Sequence, residues 1–174
     1  MPRQDNSRRV RRLTLTALLV AVALLLSYIE SLLPLQLPVP GMKLGLANAA
    51  VMVTLYLLDL PAACLVSALR VLLVSALFGN SFAMLYSLSG AFVSLLVMAL
   101  CRRSGLFSTV GVSVAGGVAH NAGQILAAVV LLDNLYVAGY FPFLVVSGVV
   151  AGVLIGIVSA LLLRRLEPAA KKLR

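Results

Sequence analysis

Apolar residues fall in six runs along this chain, at 13–33, 43–58, 61–78, 82–100, 109–132 and 142–163, with short polar breaks between them. Crossing about 30 Å of hydrocarbon takes about 20 apolar residues in helical form, because a helix pairs its own backbone polar groups where no water can. The pattern predicts an all-α integral membrane protein, a six-transmembrane-helix bundle forming one membrane domain over 13–166. A basic segment, 1–12, precedes it and a basic tail, 167–174, follows. Hydrophobic residues make up 62% of the 174 positions and charged residues 11%, more apolar surface than a soluble domain of this size needs for its core. The first run approaches full span length and others follow it, so it reads as a retained helix and not as a removed signal peptide. The second and third runs are short. They are joined through Asp59, Leu60 and Pro61, and a proline near a helix start suits a tight helical hairpin.

The net charge of +9 points away from nucleic acid once the positions are considered. Arg3, Arg8, Arg9, Arg11 and Arg12 precede the first run. Arg102 and Arg103 follow the fourth, and Arg164, Arg165, Lys171, Lys172 and Arg174 follow the sixth. Basic residues near span ends are retained in the cytoplasm. An even number of crossings puts all of these groups on that side, whereas an odd number splits them. The expectation is a multi-pass protein of the cell membrane with both termini cytoplasmic.

Polar side chains at membrane depth are costly unless paired or facing a cavity, so each marks a possible site. Here they are Glu30, Asn48, Arg70, Ser87, Ser89, His120, Asn121 and Gln124, most of them in the outer half under this topology. His120 and Gln124, four apart, share a helix face, flanked by Gly116, Gly117 and Gly123. Bonds between neighbouring helices are the plainer account of such groups. Arg70 keeps its charge at any accessible pH and needs an acceptor. Two arrangements stay open: a structural pair with Glu30, or a guanidinium facing a cavity and attracting an anionic ligand. Between the first two runs, Pro34, Pro38, Pro40 and Gly41 stiffen an apolar loop that reads either as a lid or as a connector at the interface.

Gly148, Gly152, Gly156 and Ala160 recur every fourth residue, a small-residue stripe that lets helix backbones approach. Ala17 and Ala21 form a shorter version that serves either the bundle or a partner helix. The chain carries no Walker lysine loop, nucleophile set or clustered carboxylates. Its single histidine and its two cysteines, Cys64 and Cys101, lack metal-ligand spacing. No metal, cofactor or catalytic residue is expected, and the chain reads as one that binds and moves a molecule.

Four segments carry a resemblance to a known family: Pro40–Asn48 (PGMKLGLAN), Arg70, Ser87–Gly90 (SLSG) and His120–Gln124 (HNAGQ). The chain resembles the Gx transporter family, also labelled heptaprenyl diphosphate synthase component I. That family is similar in turn to the substrate-binding S components of energy-coupling factor (ECF) importers. The resemblance implies a six-helix subunit that takes a small polar or anionic micronutrient from outside, supported by a membrane coupling protein and ATPase subunits. It makes Glu30, Lys43, Asn48, Arg70, Ser87, His120, Asn121 and Gln124 the substrate site, Ala17 and Ala21 the docking face, and the proline-rich loop a gate. The synthase label implies an alternative, a non-catalytic membrane accessory subunit in polyprenyl diphosphate or quinone metabolism. Flavin-linked electron transfer is a third association, but Phe92 and Leu95 stand where a covalent-flavin motif begun at Ser89, Gly90 and Ala91 would need hydroxyls.

Overall fold

The computed structural model describes residues 2–32, 45–78 and 81–171, and helices account for most of them. They are α1 (Pro2–Leu32), α2 (Asn48–Leu57), α3 (Leu60–Phe78), α4 (Ser81–Ser104), α5 (Thr109–Leu132) and α6 (Phe141–Lys171), with a 3₁₀ helix over Leu135–Tyr140 leading into the last. Five of these are long and apolar enough to cross a membrane. The exception corrects the sequence reading: in place of a span over 43–58, α2 has ten residues and reaches about 15 Å along its axis. Gly45 explains the late start, since its φ of +86° is incompatible with a right-handed helix. Lys43 and the loop Pro34–Met42 lie outside the described residues, as do Gly79 and Asn80 of the expected break after the third run.

Neighbouring helices pack in chain order from α3 to α6, and α1 packs on α3. Enclosed by this arrangement, α2 touches α1, α3, α4 and α6. Nine of its ten residues are buried. Two sets of contacts fix the direction in which it runs. At one end Arg12, where the apolar part of α1 begins, pairs with Asp59 in the α2–α3 turn, and Arg102, near the end of α4, donates to the Leu55 carbonyl while lying 5.0 Å over the Tyr56 ring. At the other end Glu30, in the last turns of α1, accepts the Gly45 N–H. So α2 descends antiparallel to α1, from a distal end to a basic end that gathers Arg12, Arg102 and Arg103.

Local chemistry sets the helix limits. Asp59 caps α3, its Oδ1 accepting the Ala62 N–H at 2.9 Å. Ser108 caps α5 by accepting from the Gly111 N–H at 3.1 Å, and Asp133 closes α5 in the left-handed region with φ of 47°. Two buried threonine hydroxyls bond back one turn, Thr54 to the Ala50 carbonyl and Thr16 to the Arg12 carbonyl, which satisfies them without water.

Burial is the reverse of that in a soluble protein. Leu18, Leu25, Leu73, Phe92, Leu126, Val130, Leu154 and Leu161 are exposed on the outside, whereas Glu30, Asn48, Arg70, His120, Asn121 and Gln124 are buried. An outer surface of this kind is stable against lipid and unstable against water, so the chain is a multi-pass membrane protein. The main core, built on Met52, Leu55, Val66, Met98 and Val112, occupies the half nearer the basic end.

Gly148, Gly152 and Gly156 all face α5. A Cβ at Gly148 would sit 3.0 Å from the Gly117 carbonyl, one at Gly152 2.6 Å from Val114 Cα, and one at Gly156 2.8 Å from Val110 Cα. These are backbone-to-backbone approaches that no side chain fits. Ala17 and Ala21 are exposed on the outward side of α1.

Candidate functional site

Five of the helices send a buried polar side chain or a bare glycine into one region nearer the distal end: Glu30 from α1, Asn48 from α2, Arg70 from α3, Gly90 from α4, and His120 with Gln124 from α5. At the centre of this region the His120 ring packs between two glycines. An added Cβ at Gly45 would lie 3.0 Å from Asn48 Nδ2 and 3.2 Å from His120 Cδ2. One at Gly90 would lie 3.0 Å from His120 Cε1 and 2.8 Å from Gln124 Cγ. The imidazole therefore stands between the amino end of α2 and the backbone of α4, at a spacing that only glycine on both sides allows.

Glu30 holds the turn that begins the second segment: its Oε1 accepts the Gly45 N–H over 2.7 Å. Arg70 lies within electrostatic range of both Glu30 and His120. It is only 4% exposed, and its Nε and Nη2 are both buried without a hydrogen-bond partner. Burying a guanidinium without acceptors costs several kcal/mol, so retaining one here needs an explanation. Of the two arrangements the sequence left open, a simple Glu30–Arg70 bridge leaves that edge of the guanidinium unexplained.

The other expected site residues are placed as follows. Ser87 is buried on the face of α4 that also carries Gly90. Ser89 donates to the Gly123 carbonyl at 2.7 Å, tying α4 to α5. Asn121 points elsewhere, its Nδ2 donating to the Leu144 carbonyl at 2.7 Å and to Ser147 Oγ at 3.3 Å, both on α6. One position beyond His120, it has turned about 100° around the helix. Gly45 and Gly90, which flank the His120 ring, lie in segments that carry the family resemblance but were not read as site residues, although a glycine beside a buried polar residue in an apolar span is the available signal. Among the described residues no group of three or more His, Cys, Asp or Glu is placed to hold a metal ion.

A second feature lies at the basic end. A groove of about 420 Å³ is lined by Leu55, Leu60, Leu96 and Leu100 together with Arg102 and Arg103. Its lining is otherwise apolar, so the two arginines are its charged groups.

No curated protein and no solved structure matches the chain. A family model does match, over residues 19–162, which take in the later part of α1, all of α2 to α5, most of α6 and every described residue of the polar region. On that match the chain belongs to the family described as heptaprenyl diphosphate synthase component I.

Proposed function

We propose that this protein is the membrane-embedded substrate-binding subunit of an ECF-type importer, taking up a small polar or anionic micronutrient with energy from partner ATPases. In this reading the chain sits in a bacterial plasma membrane with both termini cytoplasmic, and the distal polar region is the substrate site, reached from outside. The observation that carries it is Arg70, a permanent cation at membrane depth beside Glu30 and His120 with two of its donors unoccupied. A purely structural bundle has no use for such a group, whereas a binding subunit needs a preformed polar site with few, well-placed donors. Glu30, Asn48, Ser87, His120 and Gln124 complete the site. Asn121 supports it from the α6 side. The exposed small-residue face at Ala17 and Ala21 is where a membrane coupling protein would pack.

A second reading is favoured by the family description together with the groove at Arg102 and Arg103. In it the protein is a non-catalytic accessory subunit in polyprenyl diphosphate metabolism, the groove taking an isoprenoid tail and its arginines the diphosphate. Copurification from native membranes separates the two. The importer predicts that ATPase and coupling subunits co-elute and that a small polar molecule is released on denaturation. A prenyltransferase partner and retained polyprenyl diphosphate, without ATPase, would select the second reading instead.

A further inference from the structure

We infer that the solute bound at the distal site carries a carboxylate, gripped side-on by the Nε and Nη2 donors of Arg70; this rests on the substrate-binding reading above. The unpartnered atoms are not an arbitrary pair. Nε–H and the Nη2 hydrogen beside it project in parallel from the guanidinium edge turned away from Cδ, the fork that receives two oxygens of one planar anion. Both donors of this fork are buried and without acceptors. Glu30 lies within electrostatic range, yet it does not fill the fork, and its Oε1 is engaged by the Gly45 N–H.

Charge favours a carboxylate over a phosphate. Among the described residues the region holds one permanent cation, Arg70, and one acidic side chain, Glu30. A carboxylate brings one further negative charge, and a phosphate near neutral pH brings up to two beside the same glutamate. The partial positive charge at the amino end of α2, where Asn48 begins the helix, suits a single added charge better than two.

The experiment uses the full chain purified in lipid nanodiscs. Mass spectrometry of molecules released on denaturation identifies the retained solute, and binding of that compound is then compared with binding of its primary amide. Acetate and inorganic phosphate serve as competing probes. The expected result is a carboxylate-bearing compound whose amide binds about tenfold more weakly or worse, displacement by acetate in preference to phosphate, and a comparable loss in Arg70→Lys, which keeps the charge but not the fork. The acid–amide comparison is made on the unaltered chain and so stands even if Arg70 variants fold poorly. A retained solute without a carboxylate, an amide that binds as well as the acid, or displacement by phosphate alone overturns this inference while the binding-subunit reading survives. Release of no small molecule at all overturns both.

Discussion

Glu30 and Gly45 are joined at the distal end of the bundle by a buried hydrogen bond of 2.7 Å, carboxylate to backbone amide, that anchors the start of the central helix segment to α1. Gly45 adopts φ of +86°, so the contact depends both on a side chain that accepts and on a residue without a Cβ.

Substitutions at these two positions should separate the two requirements. Glu30→Gln keeps an acceptor for the amide, whereas Glu30→Ala leaves a buried N–H unpaired at a cost of about 1–3 kcal/mol. Gly45→Ala adds about 1–2 kcal/mol of left-handed strain, with its Cβ at 3.0 Å from Asn48 Nδ2. SDS-titration unfolding should rank Glu30→Gln as the mildest of the three.

The helix crossing at Gly90 and Gly123 should be equally intolerant. A Cβ at Gly123 would stand 2.8 Å from the Ser89 carbonyl and 2.9 Å from Gly90 Cα, both backbone atoms that cannot step aside. Alanine at either position should cost about 1–3 kcal/mol and push α4 off α5. Gly111→Ala is the control, because its new methyl meets only ordinary contacts of 3.5 Å and more. It should be neutral or stabilising by about 0.5–1 kcal/mol, as thermal unfolding in detergent can check.

Asp59 has two roles at the basic end, and they should prove unequal. Its pair with Arg12 is half exposed, the side chains being 39% and 53% accessible. Arg12→Ala should therefore cost about 1 kcal/mol or less. Asp59→Ala also removes the cap on α3 and should cost about 1 kcal/mol more. The same unfolding titration, run at low and high salt, should show salt dependence for the pair and not for the cap.

Cysteine labelling can decide how the helices sit in the membrane. With Cys64 and Cys101 replaced by alanine, Ser7→Cys and Ser104→Cys should react with an impermeant maleimide only after the cells are permeabilised. Tyr136→Cys, at a position 91% exposed beyond the end of α5, should react in intact cells. If α2 did not carry the chain across, Ser7 and Ser104 would report opposite sides.

The apolar run 109–132 coincides with α5, whose ends are set by local caps at Ser108 and Asp133. The sequence reading misjudged α2, since hydropathy records apolar residues and is blind to the positive φ at Gly45 that withholds the helix until Asn48. It stopped α4 at Leu100, but the helix runs on to Ser104 with Arg102 folded back onto the Leu55 carbonyl and the Tyr56 ring, a contact between residues far apart in sequence. In the site, Glu30, Asn48, Arg70, His120 and Gln124 stood out because polarity in a lipid-facing chain is conspicuous. The diversion of Asn121 toward α6 was not legible, since it follows from which faces of α5 the glycines of α4 and α6 occupy.

The enclosure of α2 bears on how the molecule is made. A ten-residue helix with nine residues buried against α1, α3, α4 and α6 has little lipid-facing surface of its own and too little length to hold a place in a bilayer by itself. Its packing draws on α3, α4 and α6, which all follow it in the chain, so the segment carrying Gly45 and Asn48 should settle only after they are in place. The polar region should thus be complete only once α6 is in place, and a chain interrupted before α6 should lack the α2–α6 packing even with Glu30, Arg70 and His120 already synthesised.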